Sequence, residues 1–251
     1  MNALVICSGG MDSIALAHKI AAERALTRPV SFDYGQRHKK ELDSTRACAA
    51  RFGVPQDVKD VIDISAVRRL LTGSALTDSG SVPKEHHAED LMRIAVVPNR
   101  NAIMLAIAFG IAAAEQAESV AAAVHGDDRF IYPDYHPDFV EAFATTPRHA
   151  FGEMPKIALY TPFIRRVKAD IVREGARLGV PCAETWSCSQ GGDHHCGRCG
   201  TCLEWREAFL LADVEDPTPY EKPDYWVEAC REHQEKQPSR GSELAIAGPM
   251  K

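Results

Sequence analysis

No apolar run in the chain approaches the roughly 18 residues that a membrane-crossing helix needs. The N-terminus goes directly into the apolar segment Ala3-Leu4-Val5-Ile6, with no basic stretch or small-residue cleavage site before it. A cytoplasmic protein without a membrane partner is therefore expected. Positive charge is not in excess either: 29 Lys and Arg against 35 Asp and Glu leave a formal net charge of −6. A broad phosphate-backbone footprint is thereby disfavoured, and nucleic acid is not the partner that composition points to. Also missing is the lysine of the common phosphate loop. The first Gly-Gly pair is followed by Met11-Asp12-Ser13, which fits neither G-x-x-x-x-G-K-S/T nor G-x-G-x-x-G.

What is present suffices for one sizeable core, since the 251 residues are 45% hydrophobic and 25% charged. Strand and helix signals alternate. Ala3 to Ile6, Pro29 to Phe32, Asp57 to Ile64, Ser119 to Val124 and Ile157 to Thr161 read as strands. Ile14 to Ala25, Lys39 to Phe52, Ala102 to Ala117, Asp138 to Ala144, Val167 to Leu178 and Glu204 to Ala212 read as helices. This rhythm predicts an α/β fold with a doubly wound parallel sheet, followed by a small carboxyl-terminal knuckle and a helical tail. The expected divisions are residues 1–185, 186–215 and 216–251, the last partly flexible. The helix from Ala102 is apolar almost all round and is expected to be buried. Residues 72–93 are polar and aperiodic, the mark of a lid or an excursion.

The chemistry begins at Ser8-Gly9-Gly10-Met11-Asp12-Ser13, directly after the first strand. Glycines let the backbone approach phosphate oxygens, Ser8 and Ser13 supply hydroxyls, and the following helix N-terminus favours an anion. A carboxylate among phosphates makes sense if Asp12 holds Mg²⁺. At later strand ends stand Tyr34-Gly35-Gln36-Arg37-His38, His125-Gly126-Asp127-Asp128 and Tyr132-Pro133-Asp134, where ligands of open parallel sheets bind. Arg100 and Asn101 fall at a helix start, where a cation is disfavoured unless an anion is near. That placement points to a phosphate or carboxylate. Asp134 either holds the exocyclic amine of a base or caps the helix from Asp138. Lys168, at another helix start, is a candidate for a leaving pyrophosphate.

Eight cysteines in a reduced compartment matter by their clustering. Cys188, Cys196, Cys199 and Cys202 have spacings that let turns bring four thiolates to one Zn²⁺. Four sulfurs leave no open position, so the site is structural. An iron–sulfur cluster is the competing reading, though Cys202 does not continue into the ferredoxin x3-Cys-Pro pattern. His194 and His195 are spare donors nearby.

The first of these motifs resembles the pyrophosphate loop of the ATP pyrophosphatase group, whose members split ATP to AMP and pyrophosphate to adenylate a substrate. Together with Tyr34 to Leu42, Val97-Pro98-Asn99-Arg100-Asn101, Tyr132-Pro133-Asp134, Lys168 to Ile171 and the knuckle with Ser187 before it, the chain resembles the QueC family of the queuosine and deazapurine pathway from about Met1 to Leu211. The resemblance implies ATP-dependent conversion of 7-carboxy-7-deazaguanine and ammonia to the 7-cyano compound by a homodimer, with ATP, Mg²⁺ and Zn²⁺. It implies roles for Asp12, Arg100 and Lys168 in catalysis, the loop in binding ATP, and Tyr34, Gln36, Arg37, His38, Asn101, Tyr132 and Asp134 around the substrate. The alternatives are a sulfurtransferase of the same group acting on transfer RNA, a variant that stops at the amide, and a knuckle-bearing binding module with an inactive loop. Three departures stand out: Asn99 where glycine is usual, Tyr135-His136 where Cys-Arg is usual, and a longer tail.

Overall fold

The computed structural model describes residues 2–23, 25–36, 39–54, 60–68, 97–126, 132–152 and 156–227. Arg37, His38, the 72–93 stretch, Asp127, Asp128 and residues 228–251 lie outside them.

Among the described residues, five strands form one parallel sheet: β1 (Asn2–Ile6), β2 (Ala25–Asp33), β3 (Val61–Asp63), β4 (Ser119–Ala121) and β5 (Ala158–Tyr160), in the order β3-β2-β1-β4-β5. The central strand is buried on both sides, as its unbroken apolar run requires. Ala3 and Val5 face a cluster with Ile14, Leu16 and Ile20 of α1 (Met11–Glu23), Cys48 of α2 (Lys40–Arg51) and Ile171. Leu4 faces the opposite cluster, with the long helix that follows β3. Period-two alternation along one five-residue strand thus divides the protein into two helical layers around a sheet.

After a short α3 (Ser65–Arg68), α4 (Arg100–Ala114) packs Met104, Leu105, Ala108, Phe109 and Ala112 on the sheet. It is not buried all round: Ala106, Gly110 and Ala114 are exposed along one side. Alanine and glycine carry too little apolar surface to force burial, which is why a composition of small residues overstated it. Next come a 3-10 turn at Pro133–Tyr135, α5 (Pro137–Ala150), α6 (Lys168–Arg177) and α7 (Gly200–Ala212). Helix α7 begins four residues before the expected Glu204 and so carries Cys202. Trp205, Ala208, Phe209 and Ala212 of α7 pack on Ala169 and Val172 of α6 together with Met11, tying the knuckle helix to the first turn of α1.

Beyond α7 the chain does not leave the body at once. Tyr220 forms a parallel bridge with His195, Glu221 N donates to His195 O at 2.8 Å, and Tyr220 Oη donates to Asp216 Oδ2 at 2.9 Å. Residues 216 to 222 are thus held on the knuckle, an attachment their proline-rich polar composition does not announce.

Candidate active site

Strand order reverses between β1 and β4, and the helices after these two strands lie on opposite faces, which opens a crevice at their carboxyl ends. A cavity of about 260 Å³ lies there. Its walls are Cys7, Ser8 and Gly10 from the loop, Asp12 and Ser13 from the start of α1, Phe32 of β2 and Tyr34 just after it, Glu41 from α2, Arg100, Asn101, Met104 and Leu105 from α4, Ala122 to Val124 after β4, and Tyr135. Polar and apolar side chains share the lining, the usual build of a nucleotide or heterocycle pocket.

The loop has a specific internal design. Gly9 sits at φ +87°, and a Cβ there would collide with the carbonyl oxygen of Glu41. Only glycine meets both conditions. Ser13 Oγ accepts from the amides of Ser8 and Gly9, each at 3.1 Å, and donates to Gly10 O at 2.9 Å. Its proton is therefore spent on the loop, and Ser13 shapes the turn rather than presenting a hydroxyl to a ligand. Ser8 is exposed to the cavity. Met11 faces inward, its side chain buried against α6 and α7, so only its backbone remains for a ligand. The first-turn amides of α1 lack intrahelical acceptors and carry the positive end of the helix dipole.

Asp12 opens on the same cavity. Its Oδ2 is 3.6 Å from Nε2 of buried His125, and its Oδ1 is buried without a hydrogen-bond partner. An unpaired carboxylate oxygen beside a phosphate loop fits a hard divalent cation. On the facing wall, Asn101 Nδ2 is likewise buried without an acceptor, while the Asn101 amide donates to Asp134 Oδ2 at 3.1 Å. Asp134 therefore caps α4, and it does not cap the helix that follows it in sequence. Arg100 lies 5.7 Å from the Tyr34 ring centroid. Burial opposes its charge, but Tyr34, Tyr135, Tyr132 and Asp134 around it hold its pKa above the ordinary arginine value. Glu41 Oε1 accepts from Gln36 Nε2 at 2.9 Å. Burial pushes the Glu41 acid up to about 7, against the opposing pull of Gln36 and Arg100.

The sequence-expected residues therefore divide. Ser8, Gly10, Asp12, Tyr34, Arg100 and Asn101 meet at one cavity. Gln36 supports Glu41, and the Tyr132 ring packs at a tilt against Tyr135 with centroids 5.4 Å apart. Lys168 is not on the cavity wall: its amine pairs with Glu204 of α7 beside Trp205. Two largely buried opposite charges satisfy one another, and the partner comes from a helix 36 residues away. Glu41, His125 and Tyr135 fell inside segments the sequence marked, but none of the three was given a role of its own. The strand-end position placed the His125 segment at the pocket, while its approach to Asp12 depends on packing.

At the knuckle, Cys188, Cys196, Cys199 and Cys202 are all buried and their sulfurs lie within 4.8 Å of one another. The Cys199–Cys202 and Cys196–Cys202 separations are 3.4 and 4.0 Å. A tetrahedron of sulfurs at 2.3 Å from zinc has edges of about 3.8 Å, so the cysteines fit one closed Zn²⁺ site. A four-iron cluster needs more room between its thiolates. Amides of Gln190 and Cys196 point at Cys188 Sγ, and those of Arg198 and Cys199 at Cys196 Sγ, the donors a thiolate requires. His195 is not a fifth donor. Its Nε2 accepts from Ser187 N at 3.2 Å, and its ring stacks on Trp186 at 4.4 Å.

Residues 2–213 match the family model described as "Queuosine biosynthesis protein QueC". The 7-cyano-7-deazaguanine synthase of Rhizobium rhizogenes is 60% identical over 229 residues, which cover 91% of this chain and 96% of that protein. The enzyme of the same name from Brucella anthropi is 60% identical, with 91% and 97% covered. Among solved structures, the U34-tRNA thiolase NcsA from Methanococcus maripaludis with its 4Fe-4S cluster is similar at 13% identity and a TM-score of 0.46, covering 100% of this chain and 76% of that one.

Proposed function

Since the chain belongs to the QueC family, we propose that it is the ATP-dependent ligase that turns 7-carboxy-7-deazaguanine and ammonia into 7-cyano-7-deazaguanine, releasing AMP and pyrophosphate. A carboxylate is a poor electrophile. Adenylation makes it a mixed anhydride, ammonia displaces AMP to give the amide, and a second adenylation on the amide oxygen lets that oxygen leave with AMP as the nitrile forms. One phosphate loop serves both rounds.

Each residue has a task in this scheme. The amides at Gly10 and the start of α1, with the Ser8 hydroxyl, hold the phosphates of ATP. Asp12, through its unpaired Oδ1, is the residue that would hold Mg²⁺, which when bound neutralises phosphate charge. Arg100 offsets charge developing on the opposite side, and Asn101 Nδ2 donates to the acyl oxygen. Met104, Leu105 and Ala122 to Val124 give a heterocycle an apolar wall and exclude water. Zn²⁺ at the four cysteines is structural. The observation that carries the reading is the meeting of the phosphate loop, the unpaired Asp12 oxygen and the unpaired Asn101 amide in one cavity. A homodimer in the cytoplasm is the proposed working form, with exposed Leu210 and Leu211 of α7 as apolar surface to cover.

The sulfurtransferase reading needs a persulfide cysteine or an iron–sulfur cluster beside the loop. Cys7 lines the cavity, but burial pushes its thiol above the usual range, which suppresses the thiolate. The test is incubation with ATP, ammonia and 7-carboxy-7-deazaguanine, read by mass spectrometry. Nitrile and AMP are expected, and Asp12→Ala should abolish AMP while leaving zinc content intact. Amide as the sole product would refute the second adenylation.

A further inference from the structure

Asp12 and Glu41 are the two carboxylates among the described residues that line the cavity. Asp12 belongs to the loop side, with Oδ2 near His125 and Oδ1 as the atom that would hold a cation. Glu41 stands apart, in the first turn of α2, where an acid is ordinarily read as a partner for the helix dipole. Asp43 in the same turn behaves that way: it is solvent-exposed and paired with Arg46 at 2.6 Å. Glu41 is built differently. Its Oε1 is bracketed by Gln36 Nε2, and Gln36 is itself fixed by donating to Phe32 O at 3.1 Å and accepting from Tyr34 N at 2.9 Å. No described cation pairs with it directly. The groups facing it are Arg100 from α4, the Tyr34 phenol at the end of β2 and, across the cavity, Asp12 of α1.

We infer that Glu41 is the general base that removes N–H protons from the nitrogen being installed, an inference that rests on the proposed reaction. In the first round the ammonia lone pair forms the C–N bond, the acyl–oxygen bond breaks with its electron pair leaving on AMP, and the surplus proton on nitrogen passes to Glu41. In the second round the adenylated amide gives up its two N–H protons as the C–O bond breaks and the nitrile forms. After each transfer Glu41 returns its proton to solvent at the cavity mouth. A base working near neutrality needs a pKa near the working pH, and burial puts Glu41 there. The rigid amide bracket supplies the fixed geometry that proton transfer requires.

The test separates adenylation from nitrogen chemistry in the zinc-loaded protein. Exchange of labelled pyrophosphate into ATP, dependent on 7-carboxy-7-deazaguanine and measured without ammonia, reports adenylation alone. Glu41→Gln preserves shape and the acceptor for Gln36, and is expected to keep this exchange while amide formation falls about 100-fold or more. Retained amide formation overturns the inference. So does loss of exchange through a raised KM for the deazaguanine, which would make Glu41 a recognition group for the heterocycle. A second measurement needs no variant: wild-type amide formation, at constant free ammonia, is expected to fall on the acid side of about pH 7. A flat profile between about pH 6 and 8 overturns the inference even if Glu41→Gln fails to fold. Absence of exchange in the wild type would instead refute the proposed reaction.

Discussion

The backbone amide of Trp186 donates to the carbonyl of Gly9 at 3.0 Å, so the cysteine knuckle and the phosphate loop share a hydrogen bond. Trp186 is in turn locked to the knuckle: its Nε1 donates to Cys188 O at 3.2 Å, and its ring lies on His195. Knuckle geometry and loop geometry are therefore one mechanical unit.

Removing the metal should disturb the loop as well as the knuckle. Chelation, or Cys199→Ser, is expected to lower Tm by on the order of 10 °C. AMP formation should be lost in the fraction that stays folded. Zinc analysis, calorimetry and an AMP assay on one sample check this, and full turnover in a zinc-free, folded protein would contradict it.

Asn99 occupies the residue before α4 at φ 58°, a left-handed conformation in which glycine is comfortable and asparagine is the best tolerated alternative. The departure from the family pattern is thus conformationally conservative. Asn99→Gly should leave stability within about 0.5 kcal/mol, while Asn99→Val should cost about 1–2 kcal/mol and weaken the placement of Arg100 and Asn101. Urea unfolding of the two variants separates these outcomes.

Lys168 is expected to act through structure. Lys168→Met leaves Glu204 largely buried without its partner and should cost about 3 kcal/mol. Glu204→Gln should cost a comparable amount. AMP formation per folded molecule should stay within a few-fold of wild type in both. Abolished AMP formation at unchanged Tm in Lys168→Met would restore the assignment to the leaving pyrophosphate.

Glu41 also leaves a mark on stability. Its folded-state pKa of about 7 lies above the unfolded value, so the folded protein binds the extra proton between the two. The contribution is fully present below the unfolded pKa of roughly 4.3 and is lost as pH rises through about 7. Glu41→Gln, which cannot ionise, should therefore gain relative to wild type as pH rises from 5 to 8, by on the order of 2 kcal/mol. Paired melts across that range test the sign, and a constant difference would contradict it.

Contiguous motifs carried most of what the sequence disclosed. The loop and the four cysteines have their chemistry written within short segments, and the alternation of apolar runs foretold the doubly wound sheet. Relationships between distant segments were not visible. Glu41 reads as an ordinary first-turn acid until the Gln36 bracket and the cavity are seen. Asp134 was recognisable as a cap, but its partner is α4, 33 residues back. Lys168 had the right local position, and only packing by α7 reveals Glu204 beside it. Ser13 belongs to the motif, yet its hydroxyl turns inward because the Ser8 and Gly9 amides need an acceptor.

The central claim is that this loop and cavity transfer AMP to oxygen atoms of the substrate. Labelling the carboxylate of 7-carboxy-7-deazaguanine with oxygen-18 and weighing the products tests it directly. One labelled oxygen should appear in each AMP released, in both rounds, with pyrophosphate unlabelled. Label found in pyrophosphate or inorganic phosphate, with AMP unlabelled, would contradict the account.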